Sequence, residues 1–268
     1  MREALFTLVL SFPALVASAQ SGLRLTEEAT TAAAGTLAIE ARVDAISAEP
    51  NFLTGEGRTR WEIPILRIVH SPAENVEVDL EWVGRVVAVD DAGSGTVSDW
   101  GDVTLRAKVR LLQSQDRRTA FGTRFFVSLP ETKAQFGLGP NTLRMAAEGL
   151  LSGHLGRGAF HANAGLAIHD KVDAAAAQSD FLSYGLALER PIGSRAAIVA
   201  EIAGRVGSGS RGADDRSEVR LGVEVGSGRF RWSLGARRGL VDPHGTWGAT
   251  VGVTWIAMGE KAPAPSVP

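Results

Sequence analysis

The chain contains no cysteine. A thiol nucleophile and Cys-ligated zinc are thereby excluded, and the disulfide framework typical of small secreted domains is missing. Beyond the N-terminus no segment approaches the roughly 18 unbroken apolar residues that a membrane-spanning helix requires. Basic residues do not cluster, and 28 Lys and Arg against 30 Asp and Glu leave a net charge of −2. Such a balance carries no electrostatic footprint for nucleic acid, so neither DNA nor RNA is an expected partner.

Composition nowhere shifts sharply enough to mark a domain boundary, and the 268 residues read as one domain preceded by a signal. Met1-Arg2-Glu3, the apolar stretch Ala4 to Val16 and Ala17-Ser18-Ala19 have the charged, apolar and small-x-small parts of a secretory signal. Cleavage is expected after Ala19. A spanning anchor fits less well, because the apolar stretch is short and interrupted by Pro13. An exported chain without a spanning helix either is soluble or enters a membrane as strands. Residues 20–35, rich in Ala, Thr and Glu without strand pattern, read as a periplasmic lead-in.

What the chain has in abundance is alternation. Val76, Val78, Leu80 and Trp82 alternate with Asn75, Glu77, Asp79 and Glu81, while Val103, Leu105, Ala107, Val109 and Leu111 alternate with Asp102, Thr104, Arg106, Lys108 and Arg110. A period of two belongs to strands, each here with one apolar and one charged face. In a soluble sandwich the apolar face would look inward; in a transmembrane barrel it meets lipid and the charges line the lumen.

The rest of the chain favours the barrel. Similar runs begin at Thr36, Arg60, Thr119, Asn141, Ala159, Phe181, Ile198, Glu218, Phe230 and Trp247, for about twelve strands, an even number. Pro64 cannot donate to a ladder, so the second strand is expected to carry a bulge or break. Connections after odd strands are long, as in Ser47 to Thr59 and Pro130 to Pro140; those after even strands are short, as in Ser71 to Glu74 and Gly156 to Gly158. Short periplasmic turns and long extracellular loops are the rhythm of an outer-membrane barrel. Trp61, Trp82, Trp100, Trp232, Trp247 and Trp255 fall near expected strand ends, as an interfacial aromatic girdle would. The expected fold is therefore all-β, an antiparallel transmembrane barrel over residues 36–257, with a Pro/Ala-rich periplasmic tail at 258–268.

The inward candidates are Glu77, Asp79, Glu81, Arg85, Asp102, Arg106, Lys108, Arg110, Arg124, Arg144, Glu148, His161, Glu201, Arg205, Glu218, Arg220 and Glu224. In the hairpin around Gly93 and Ser94, pairing residues whose numbers sum to about 187 sets Glu81 against Arg106, Asp79 against Lys108, Glu77 against Arg110 and Arg85 against Asp102. That register makes an acidic strand beside a basic one.

One resemblance accompanies these readings. Trp100-Gly101-Asp102-Val103-Thr104-Leu105-Arg106-Ala107-Lys108-Val109-Arg110-Leu111 resembles the Gly-Asp-x-x-x-x-x-Lys-x-x-Leu signature of the outer-membrane family named for the meta-pathway of phenol degradation. Ser128-Leu129-Pro130-Glu131-Thr132, Leu138-Gly139-Pro140-Asn141, Phe160-His161-Ala162-Asn163-Ala164-Gly165 and the ending Trp247 to Trp255 are similar to segments of that family. The resemblance implies an outer-membrane transporter or channel, associated in some members with uptake of aromatic compounds. The chain departs from the family where Glu131-Thr132 replaces its usual Thr-Gly and where the tail runs past Trp255. No catalytic residues carry over.

Other chemistry is poorly supported. Gly207-Ser208-Gly209-Ser210-Arg211-Gly212 matches a dinucleotide fingerprint but is followed by a strand pattern rather than a helix. At about 3.3 Å per residue, His161 and His169 would stand roughly 26 Å apart, too far to share a metal. Asp90, Asp91 and Asp99 lie in a loop without an EF-hand pattern. No serine–histidine motif marks a hydrolase, so neither an enzyme nor a cofactor is expected. The reading is a Gram-negative outer-membrane, porin-like channel for passive passage of small solutes, aromatic or hydrophobic compounds included. The alternative is a structural or interaction barrel with a closed lumen and functional loops. Expected partners are outer-membrane lipid and a small-molecule solute; nothing in the sequence sets an oligomeric state.

Overall fold

A computed structural model describes residues 22–51, 53–90, 95–133, 137–139, 141–170, 178–207, 215–241 and 246–258. The expected signal peptide, the tail from residue 259 and the glycine-rich segment from residue 208 lie outside them.

The alternating runs form fourteen strand segments: β1 (Leu37–Pro50), β2 (Gly57–Ala73), β3 (Val76–Val83), β4 (Val86–Asp90), β5 (Thr96–Asp99), β6 (Val103–Gln113), β7 (Thr119–Leu129), β8 (Arg144–Leu155), β9 (Gly158–Asp170), β10 (Gln178–Ile192), β11 (Ala196–Gly207), β12 (Arg216–Ser227), β13 (Phe230–Gly239) and β14 (Trp247–Met258). Both β3 and β4 pair with β2, as two parts of one wall strand, and β5 and β6 continue one another in the same way. Counted so, the wall has twelve antiparallel strands. It closes where β1 pairs with both β14 and β2. Among the described residues closure leaves an edge only at the short β5, which pairs with β4 alone; elsewhere the ring is continuous, the condition for a sheet in lipid.

The expected break at Pro64 is present. Inward positions on β2 are Arg58, Arg60 and Glu62 before it but Ile65, Arg67 and Val69 after it, while Ile63 and Pro64 both face out. The ring nitrogen of Pro64 has no hydrogen to donate, so the ladder is carried instead by Gly84 N to Pro64 O at 2.8 Å and Ile63 N to Arg85 O at 2.9 Å. The neighbouring strands answer with their own irregularities, between Arg42 and Asp44 on β1 and at Gly84–Arg85 between β3 and β4.

Facing is inside-out relative to a soluble protein. Leu166 is 71% and Leu234 63% exposed, whereas Glu77 and Lys108 on the opposite face are 3% and 4% exposed. Water would not tolerate that outer surface; lipid hydrocarbon does. Leu166 lies mid-strand opposite Leu182 and Ala147. Leu166→Arg is therefore expected to lower the stability of the barrel in bilayers by about 2–4 kcal/mol. Denaturant titration of folding into lipid vesicles checks this, and a neutral result would mean that the face does not meet lipid.

Candidate functional site

The barrel interior holds what the sequence pattern placed outside it. The lead-in read as periplasmic enters the lumen instead: Leu23, Arg24, Thr26, Glu27, Glu28, Ala29, Thr31 and Ala32 are all buried. It joins the wall at the short-turn end, where Gly35 takes a positive φ of 81° and its amide donates to Ser71 O at 2.8 Å. From there the segment crosses the lumen, anchored on side chains from strands around the ring.

Main-chain anchors come first. Ala32 N donates to Glu77 Oε2 (3.4 Å), Ala29 N to Ser152 Oγ (2.8 Å), Thr26 N and Leu25 N to the Glu201 carboxylate (2.5 and 3.0 Å), and Gly22 N to Glu40 Oε1 (2.8 Å). Leu23 O accepts from Arg220 Nη1 at 3.2 Å. The Asn163 amide, oriented by its neighbours, donates to Glu27 O (2.8 Å) and accepts from Glu27 N (2.7 Å). The lead-in has no strand partner, so lumen side chains satisfy its buried backbone groups.

Charge anchors follow. The Glu27 carboxylate lies 3.1 Å from Lys108 Nζ, 3.1 Å from Arg124 Nη1 and 3.6 Å from Arg67 Nη2. Burial alone would raise its pKa, but Lys108, Arg67 and Arg124 outweigh it and hold the carboxyl well below the usual range. Arg24 reaches the other side of the lumen, 3.8 Å from Glu189. Shape matches too: Leu23 packs where the inner wall has Gly222 and Gly235, and a Cβ on either would come within 2.7 and 2.3 Å of its side chain. Such glycines inside strands mark the close approach of another chain.

Glu28 gives the docked segment a pH dependence. Its carboxyl is pushed from 4.5 up to about 7, by burial first, with Arg24 and Lys108 opposing the rise and Glu189 and Glu27 adding to it. The docked lead-in thus keeps a proton that a free one has lost. The Glu28 contribution to docking is greatest at and below pH 4.5, weakens as pH climbs from there to about 7, and is flat above it, whereas the Glu27 contribution is lost only as pH falls below 4.5. Protection of the lead-in from added protease, measured between about pH 5 and pH 8, should fall as pH rises, and Glu28→Gln should remove the slope. A slope unchanged in that variant would assign the effect elsewhere.

The remaining lumen is a mesh of ion pairs. Arg67 is bidentate to Asp79 (3.0 and 2.9 Å); Arg106 bonds Asp79 and Glu81 (both 2.8 Å); Lys108 meets Glu77 (3.0 Å); and Arg124 pairs with Glu148. Arg144 bonds Asp102 at 2.6 Å, Arg220 bonds Glu218 at 2.5 Å, and Arg231 lies 3.7 Å from Glu224. Arg110 sits at the short-turn rim, bonded to Glu74 O at 2.7 Å. Towards the long-loop end Arg205 meets His169 at 3.2 Å and lies 4.9 Å over the Phe181 ring. His161 shares a 2.8 Å hydrogen bond with Ser152 through Nδ1. That serine accepts from the Ala29 amide, and His161 Nε2 has no hydrogen-bond partner among the described residues.

Two expectations need correction. Arg85 does not line the lumen: it is exposed, bonded to Ser98 Oγ at 3.1 Å and 5.9 Å from the Trp100 ring centre. The interruption at Gly84–Arg85 shifts the facing by one residue there. The hairpin register is also offset by two, since Glu77 faces Lys108, Asp79 faces Arg106 and Glu81 faces Thr104. Of the four expected ion pairs only Glu81–Arg106 forms, as a diagonal contact.

The six tryptophans face outward. Trp61 and Trp247 lie towards the long-loop end and Trp232 and Trp255 towards the short-turn end, while Trp82 and Trp100 stack at 5.8 Å beside the strand interruption. Lumen residues outside the candidate set include Glu40, Arg42, Arg60, Glu62, Arg67, Asn163, Glu189 and Arg237. On β1 the same alternation marks Glu40 and Arg42; Arg67 is hidden by the break at Pro64. Among the described residues no group of three or more His, Asp and Glu could hold a metal.

No family model matches the chain, and no curated protein matches it. Solved structures do. An outer membrane channel from Pseudomonas putida F1 aligns with a TM-score of 0.60 at 15% identity, over 85% of this chain and 97% of that one. The translocator domain of the autotransporter NalP from Neisseria meningitidis aligns at 0.53 and 13%, over 82% and 88%. The KdgM porin in complex with disordered oligogalacturonate aligns at 0.50 and 8%, over 82% and 99%. Fold, closure and an apolar outside agree: this is a twelve-stranded barrel of the outer-membrane kind.

Proposed function

We propose that the protein is an outer-membrane channel whose lumen is closed at rest by its own lead-in, and that small solutes cross passively when that segment moves. The observation that carries the reading is a polar, ion-paired interior crossed by a segment held through polar bonds. Such bonds can be exchanged for water one at a time, unlike a packed apolar core. Export by residues 1–19 and a Gram-negative envelope belong to the same proposal.

The resemblance to the meta-pathway family adds aromatic solutes. Inward-facing Phe126 and Phe181 pack together with Ala146 and Ala167, an apolar patch that supports that class. The filled lumen favours the second reading, a closed structural barrel acting through its loops.

Planar-bilayer conductance and liposome swelling separate the two. The channel reading expects low conductance from the full chain, more when the lead-in is absent, and swelling rates that differ across aromatic acids, sugars and fatty acids. Silence from both forms would leave only the structural barrel.

A further inference from the structure

The lead-in is held largely through its main chain. The amides of Gly22, Leu25, Thr26 and Ala29 and both backbone groups of Glu27 are bonded by wall side chains. Backbone N–H and C=O groups are the same in every peptide, so a wall that reads them reads a chemical class rather than one sequence. Asn163 is the clearest case, because its amide takes the donor and the acceptor of a single residue together. Carboxylate acceptors such as Glu201 make these bonds charge-assisted.

We propose that the lumen is a peptide-binding site in which the lead-in sits as an intramolecular ligand, and that the solutes it admits are short extended peptides. This rests on the channel reading and names its solute class. Side-chain seats add a preference. Gly222 and Gly235 leave room for an apolar residue where Leu23 lies, Glu189 faces a cation at the next position, and Lys108 and Arg124 take a carboxylate three residues later. A saccharide can donate hydroxyls to Glu201 but presents no N–H and C=O pair to Asn163.

The test uses protein lacking residues 22–33, refolded into bilayers, with a synthetic peptide of that sequence added. Interruption of conductance should depend on peptide concentration. N-methylation at the positions of Leu25 and Thr26 should weaken it roughly tenfold or more, as should Glu201→Gln. A peptide with other side chains at positions 28–33 should still act, and a maltooligosaccharide of similar length should need at least about ten times the concentration. Equal block by saccharide and peptide, or indifference to N-methylation, overturns the peptide site and leaves the channel standing.

Binding of a fluorescent lead-in peptide in micelles, read by anisotropy, keeps the two readings apart. Binding without conductance supports the peptide site and sinks the channel; conductance without binding does the reverse. Should the shortened chain not refold, full-length Gly235→Val, which crowds Leu23 from its seat, supports the same measurements.

Discussion

Removal of residues 22–33 is expected to raise mean conductance by roughly a hundredfold, on the basis that docking worth even about 3 kcal/mol holds the undocked fraction near one in a hundred. That docking energy is modest for the bonds involved. Six lead-in amides donate to wall side chains, four of them to carboxylate oxygens, and bonds to charged groups are worth about 1.5–3 kcal/mol each before the cost of ordering the segment. The wall should survive the deletion. Its ladder closes without the lead-in, and the released Glu40, Glu201 and Lys108 would face water entering the lumen. Single-channel recording of the two forms in one bilayer system measures the difference. Equal conductance would show that the lead-in does not close the pore.

Glu27→Ala should open the full-length chain part of the way. Its carboxylate is the one lead-in group shared by Lys108, Arg124 and Arg67. Each cation keeps a wall partner without it: Glu77 for Lys108, Glu148 for Arg124 and Asp79 for Arg67. The loss therefore falls below the 3–5 kcal/mol of a buried charge stripped of all partners, and about 2–3 kcal/mol is expected. That multiplies the undocking equilibrium constant by about 30- to 150-fold, which takes an undocked fraction near one in a hundred to roughly a quarter to three-fifths. Glu27→Gln, which keeps shape and some hydrogen bonding, should fall between wild type and alanine. Open probability is the readout. If Glu27→Ala matches wild type while the deletion conducts, the anchor is the main chain and not the ion cluster.

The register of the Asn75–Leu112 hairpin shows where reading a sequence stops. A slip of one residue turns every side chain to the wrong face, so the alternation strongly constrains facing. A slip of two preserves it. Both rows repeat their charges every second residue, so the expected and observed registers each set acid against base, Glu81 with Arg106 in one and Asp79 with Arg106 in the other. Arg85 fails for a related reason: the wall shifts phase at Gly84, and a strict period cannot follow.

Strands, facing, closure with an even count and the alternation of short and long connections were all legible in the residues themselves, because each follows from a two-residue period or from local turn chemistry. The closed lumen was not. Residues 22–35 show no period because no single neighbouring strand pairs with them; their partners are spread from Glu40 to Arg220 around the ring. The inward glycines Gly222 and Gly235 mark where another part of the chain approaches the wall, but only the folded barrel shows it. Only closure of the barrel decides which part that is, since it alone brings Leu23, Glu27 and Ala29 within reach of wall residues more than a hundred positions away in the chain.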